Sequence, residues 1–368
     1  MSKLFESSAI NGMALKNRFV RSATWEGMAA DDGTVTQKLI ETMTALARGG
    51  VGLIVTSHAY VRPEGQAASW QLGIYKDEFI PGLQEMTAAV HGCGGKIVMQ
   101  LAHAGCFASK QLIRQPLLVV SDFDGITKSP RKEIAGEDIG EIVGAFADAA
   151  RRAKSANFDG VQIHSAHGYL LSQFLSPIFN RRQDQYGGDI CNRARIHLEI
   201  CQAIREAVGK DYPVLIKMNC QDFVENGLIL EDSLQAARLM AHACLDAIEL
   251  SGGLITGGKL SPSRMGINSK DKEAYFQEEM RVFKREIGIP LILVGGIRSF
   301  EVAERLVGNG IADYISMSRP FIREPNLVNR WKAGDRHKAE CTSDNLCFRP
   351  GSEGKGIYCV ADKHDQEK

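Results

Sequence analysis

The chain has 368 residues, with 44 basic and 44 acidic side chains and therefore no net formal charge. That length can hold one barrel of about 250 residues with insertions, or two domains. Balanced charge leaves no electrostatic footprint for nucleic acid or an anionic membrane surface. No apolar run reaches the ~20 residues of a membrane helix, and the opening MSKLFESSAING is not expected to act as a secretion signal. Nine cysteines, an odd number, argue against a secreted disulfide framework and make a reducing cytoplasm the expected location.

In chain order, Ile10-Asn11-Gly12-Met13 comes first: Asn-Gly between apolar residues predicts a small hairpin. Strand-like apolar runs follow at 18–21, 51–55, 96–100, 161–163, 214–218, 247–250, 291–294 and 314–317. Helical periodicity separates them, as in 137–157, where Ile139, Ile142, Val143, Phe146, Ala149, Ala150 and Ala153 recur at three- and four-residue steps. Stretches 231–242 and 299–309 read the same way. Eight strand–helix units predict an α/β fold, a closed (β/α)8 barrel, ahead of a doubly wound sheet. Residues 110–131, with Pro116, Gly125 and Pro130, are expected to form a long irregular loop over the barrel mouth.

The fourth apolar run ends at His164, and His167 and Tyr169 follow at once. Three groups able to donate hydrogen bonds or protons thus stand at the carboxyl end of a buried strand, where such folds place their chemistry. Two histidines three residues apart are, taken alone, more often a solvated turn. Lys217 lies inside the apolar run VLIKM. A buried lysine is costly unless paired, so it calls for a negatively charged ligand or a neighbouring carboxylate. After the seventh and eighth strands come Gly295-Gly296-Ile297-Arg298 and Ser318-Arg319, the place and composition of a phosphate site in barrels. The glycines could also simply end a strand.

The whole stretch HSAHGYLLSQFLSPIFNRRQDQYGGDICNRAR, residues 164–195, resembles the signature segment of the old yellow enzyme family, the FMN-dependent ene-reductases. QLAHAG at 100–105 also matches, and the resemblance runs from Asn17 to about Pro325. It implies bound FMN and transient NADH or NADPH; no separate GxGxxG unit is visible. It lays Ser22, Ala23, Thr24 and Trp25 along the flavin, Gln100 on its pyrimidine edge, Lys217 near its N1, and Ser57 and His58 close by. The resemblance also puts His164 in contact with the cofactor, and Gly295, Gly296, Ser318 and Arg319 on its phosphate. The implied reaction reduces the C=C bond of an α,β-unsaturated carbonyl compound. FMN N5 gives the hydride, His164 and His167 bond the carbonyl oxygen, and Tyr169 supplies the proton.

The chain departs from the family pattern at three places, one of them Gly27, where one branch of the family has a substrate-binding Tyr. Trp25 stands where many members have Cys or Thr, and could equally be core packing. In the tail, Cys341, Cys347 and Cys359 resemble the iron–sulfur cysteines of larger relatives of the dienoyl-CoA reductase type, but Asp344 replaces the expected fourth thiolate. The expected organisation is an FMN-binding barrel over 1–335 and a tail over 336–368, without a second nucleotide-binding domain. An iron–sulfur cluster and other metals are not expected. The expected partner is a small-molecule substrate, with a homo-oligomer left open. Alternatives are an oxidative amine dehydrogenase on the same scaffold, or a flavin-binding electron-transfer module.

Overall fold

In the computed structural model, which describes residues 2–362, the eight expected strands close into one parallel barrel. They are Phe19–Arg21, Leu53–Tyr60, Ile97–Ala102, Gly160–Ser165, Val214–Asn219, Ala247–Ser251, Leu291–Val294 and Tyr314–Met317. Each pairs with its neighbour in sequence, and Ile315 beside Phe19 closes the ring. Strands buried on both faces read as continuous apolar runs, which is why these segments stand out in the sequence. The hairpin forms as well, with Ser8–Ile10 against Met13–Leu15. Ile10, Met13 and Leu15 pack against Val20, Leu53, Val98 and Leu215, plugging the end of the barrel away from the carboxyl ends of its strands.

The helix Gly136–Ser155 buries Ile139, Ile142, Phe146, Ala149, Ala150 and Ala153 on one face. Asp138 accepts the Ala135 N–H at 2.8 Å and so caps its first turn. Phe146 is fully buried, and truncating it to Ala would cost about 3–5 kcal/mol. The stretches expected at 231–242 and 299–309 are the helices Leu230–Ala243 and Phe300–Gly308.

Three features differ from the sequence expectation. The segment 110–131 is not structureless: it holds a short helix, Lys110–Ile113, and a strand, Leu117–Val119, paired with Arg131–Glu133. Leu117 and Ile113 pack with Ala104, Ala108 and Tyr169, so apolar burial orders this segment beside the barrel mouth. The second strand is longer than expected, so Thr56, Ser57 and His58 lie inside it, where the register shifts between Val55 and His58. Finally, Cys201 and Cys244 form a disulfide with Cα atoms 5.9 Å apart, while seven cysteines stay free. Cys201 is on the helix Arg195–Val208, and Cys244 follows the packed neighbour helix Leu230–Ala243. Among the described residues, no helix is long and apolar enough to cross a membrane.

Candidate active site

Barrel register decides which side chains share the cavity. In neighbouring parallel strands, His58 lies beside Gln100 and Gln100 beside Gln162. His164 lies beside Lys217, and Lys217 beside Glu249. These polar residues occupy the carboxyl half of a barrel whose other half is filled with aliphatic side chains. Above them is a cavity of roughly 230 Å³ lined by Ser22, Ala23, Thr24, Trp25, His58, Gln100, His164, His167, Tyr169, Lys217 and Ser318. Ser57 is buried but does not line it.

One wall carries the proton-bearing groups. The His164 ring lies 5.4 Å from that of His167 and 5.0 Å from that of Tyr169, centre to centre. His167 has a left-handed backbone (φ 66°), which its own N–H helps fix by donating to Asn219 Oδ1 at 3.1 Å. Its Nε2 is 2.8 Å from Ser251 Oγ, and the Tyr169 hydroxyl is 3.4 Å from His58 Nε2. Burial lowers the His58 pKa to about 4. Burial, with the other charges of the site, also holds His164 and His167 well below their ordinary value. All three are neutral at pH 7, each with one ring N–H to give. Burial pushes Tyr169 up to about 12, so its phenol keeps its proton. His164 Nδ1 is buried with no hydrogen-bond partner in the protein.

The floor is an ion pair that the sequence only half revealed. Lys217 Nζ is 2.7 Å from Ser22 Oγ and 3.3 Å from Glu249 Oε1. Of the two explanations for a buried lysine, the neighbouring carboxylate is therefore present, while Lys217 still lines the cavity. Burial alone would raise the Glu249 pKa. Lys217 and hydrogen bonds from Ser22, Gln162 and Ser316 outweigh it, and the net shift is downward. Sequence reasoning missed Glu249 and Gln162. The signal was the one that exposed Lys217, a single polar residue inside an apolar run (AIELS, GVQI).

A narrower extension runs from Ser318 to Gly296, Arg298 and Arg319. Gly296 has φ 74°, and a Cβ there would lie 2.7 Å from the Tyr275 ring, so only glycine leaves its backbone open in this cradle. Arg319 bonds two neutral oxygens, Asn345 Oδ1 at 2.6 Å and Arg264 O at 2.9 Å. Burial and the adjacent Arg298 cation both lower its pKa. Two guanidiniums at the narrow end of the cleft suit a phosphate. A larger open groove of about 800 Å³ lies on the other side of Arg298, lined by Lys270, Arg336 and Lys338. Glu273, Glu301, Asp335 and His337 line it as well, but His58, His164, His167 and Tyr169 line only the smaller cavity.

The tail helps build the site. Asn345 bridges Arg319 and Ser263 O, and Phe348 lines the cavity. Trp25 lines the cavity too, and its ring edge lies against the tail: a Cβ on Gly351 would be 3.0 Å from Trp25 Cζ3. Cavity wall and packing residue are thus both true of Trp25. Asp344 takes its place in a turn, accepting from Leu346 N–H at 2.9 Å and from the Thr342 hydroxyl at 2.8 Å.

A profile of the NADH:flavin oxidoreductase / NADH oxidase family matches residues 3–338. The chain belongs to this family. It is 37% identical to an NADH oxidase of Thermoanaerobacter brockii over 93% of this chain and 53% of that protein. It is 36% identical to an NADPH dehydrogenase of Geobacillus thermodenitrificans over 88% of this chain and 91% of that one. Among solved structures it resembles a 2-naphthoyl-CoA reductase in complex with 2-naphthoyl-CoA (TM-score 0.90, 26% identity, 97% of this chain and 56% of that one). The chain spans about half the length of the NADH oxidase it matches. Family membership implies FMN and a nicotinamide as the working cofactors. The buried, unpartnered His164 Nδ1, the Gln100 and Lys217 edge and the Gly296–Arg319 cradle fit an FMN laid across the cavity.

Proposed function

We propose that the protein is an FMN-dependent NAD(P)H oxidoreductase that reduces the C=C bond of α,β-unsaturated carbonyl compounds. The observation that carries this reading is the convergence of neutral His164, neutral His167 and protonated Tyr169 on one wall of a cavity whose far end is cationic. Ser22 to Trp25, Gln100, His164 and Lys217 would hold the ring system, with Gly295, Gly296, Ser318 and Arg319 holding the phosphate. FMN bound in this way supplies the hydride that the β-carbon receives. His164 and His167 then act on the substrate carbonyl: neutral N–H donors fixed in advance stabilise negative charge as it develops on that oxygen. Ser251 holds the His167 ring, and Asn219 its backbone, so little reorganisation is needed at the moment of reaction. Tyr169, which keeps its proton at any working pH, donates it to the α-carbon. The names borne by the relatives, NADH oxidase and NADPH dehydrogenase, support a nicotinamide as reductant. A cytoplasmic enzyme acting on a small molecule is part of the proposal, and its oligomeric state stays open.

The reading is tested by mixing the photoreduced protein anaerobically with an enone. Oxidation of the flavin with formation of one saturated ketone per flavin supports it. A flavin that stays reduced through enals, enones, enoates and enoyl thioesters overturns it.

A further inference from the structure

Glu249 is fully buried, deep in the barrel, and every one of its hydrogen-bond partners is a donor. Its Oε1 accepts from Ser22 Oγ at 2.6 Å, Ser316 Oγ at 2.8 Å and Lys217 Nζ at 3.3 Å. Its Oε2 accepts from Gln162 Nε2 at 2.9 Å, and Gln162 Oε1 accepts in turn from Gln100 Nε2 at 2.7 Å. Amide orientations in a structure are normally a matter of assignment. Here chemistry fixes them. An ionised carboxylate can only accept, so Gln162 must present its NH2 to Glu249 and its carbonyl to Gln100. Gln100 must then donate to Gln162, which leaves Gln100 Oε1 as the free acceptor at the cavity wall. One buried charge therefore sets the hydrogen-bonding sense of a side chain two residues away in the chain of contacts. The same charge partly neutralises Lys217, the cation at the cavity floor.

We infer that Glu249 is a positioning residue for the flavin, which directs the Gln162–Gln100 relay to accept from the cofactor and restrains Lys217 so that bound FMN stays a strong reductant. The inference rests on the FMN reading of the cavity. An acceptor at Gln100 suits the N3–H of the flavin pyrimidine. A carboxylate beside Lys217 opposes the negative charge that reduction places on the ring, so it disfavours the reduced form relative to the oxidised one. Glu249→Gln removes that opposition and also frees Lys217, and both changes favour reduced FMN. The expected change is roughly tenfold or more in the ratio of reduced to oxidised affinity. That is the scale of one unit charge removed from roughly 10 Å at an effective dielectric of about 20.

The experiment measures FMN affinity in both redox states, and the midpoint potential of the bound flavin, for the wild type, Glu249→Gln, Glu249→Asp and Gln162→Leu. Glu249→Gln should raise the potential by about 30 mV for each tenfold change in the affinity ratio. Glu249→Asp, which keeps the charge, should stay near the wild type. Gln162→Leu breaks the relay without touching the charge, and should weaken FMN binding about tenfold in both redox states while leaving the potential in place. A merely structural Glu249 would change thermal stability and leave the affinity ratio alone, so a ratio within twofold of the wild type in Glu249→Gln overturns the inference. If that variant does not fold, Gln162→Leu decides, and unchanged FMN affinity there overturns the relay. A wild type that binds no FMN removes the reading beneath the inference and needs no variant to show it.

Discussion

Replacing Tyr169 by Phe separates the proposed proton donor from the rest of the site. The change removes one oxygen and keeps the ring that packs 5.0 Å from His164 and 5.3 Å from His58. The lost hydroxyl makes one long contact, 3.4 Å to His58 Nε2, so folding should weaken by less than about 1 kcal/mol. The kinetic effect should be far larger. Loss of a positioned general acid typically costs ~10²–10⁴ in rate, or about 3–5 kcal/mol on the barrier at roughly 1.4 kcal/mol per tenfold. It should fall on one half-reaction only. Anaerobic stopped-flow, following flavin absorbance, resolves the two: reduction by NADPH or NADH should stay within about threefold of the wild type, while oxidation by an enone slows. Because burial pushes Tyr169 up to about 12, the wild-type oxidation rate should show no loss of this proton between pH 6 and 10. Equal slowing of both half-reactions would assign Tyr169 to binding or packing and refute its role as acid.

Arg319→Glu places a carboxylate at the narrow end of the cleft beside Arg298 and should leave largely apo-protein; full FMN occupancy after gel filtration would remove the phosphate assignment. Buried neutral histidines should make the apo-protein acid-sensitive. Burial lowers His103 to about 4 and His197 to about 3, against 6.5 when free. The unfolded chain therefore takes up protons below pH 6.5 that the folded one refuses. Stability present above that pH is lost as pH falls toward 4, by roughly 3 kcal/mol for His103 alone; urea midpoints unchanged between pH 7.5 and 4.5 would contradict this. In the tail, three thiols and Asp344, whose carboxylate is committed to a turn, should leave anaerobically purified protein without acid-labile sulfide. About four irons per chain would instead show a working cluster motif.

The barrel was legible because every strand buried on both faces is an apolar run bounded by turn residues. The site was legible wherever its residues lie close together in the chain, as His164, His167 and Tyr169 do. What escaped depends on pairing across distant segments. Lys217 announced itself as a lone charge in VLIKM, yet its partner Glu249 is 32 residues away and faces it only through strand register. Ser57 and His58 are neighbours in the second strand, yet His58 lines the cavity while Ser57 is buried without lining it, a difference the sequence does not show. The segment 110–131 looked irregular from its prolines and glycine, but Ile113 and Leu117 find apolar partners around Tyr169 that no local pattern shows. The tail read as a damaged cysteine motif. Its contribution to the cavity, through Asn345, Phe348 and the close approach of Gly351 to Trp25, lies in contacts with segments far earlier in the chain.

The central claim is that this cavity passes a hydride and a Tyr169 proton to an activated alkene. Its most direct test is a single anaerobic turnover run twice, once with deuterated NADPH or NADH in H2O and once with the unlabelled nicotinamide in D2O, mixing the reduced protein with a cyclic enone and reading the product by mass and NMR. The account predicts one deuterium at the β-carbon from the nicotinamide and one at the α-carbon from solvent, with the flavin reoxidised in step. A flavin that reoxidises only on admitting oxygen, with the enone recovered unlabelled, would contradict it.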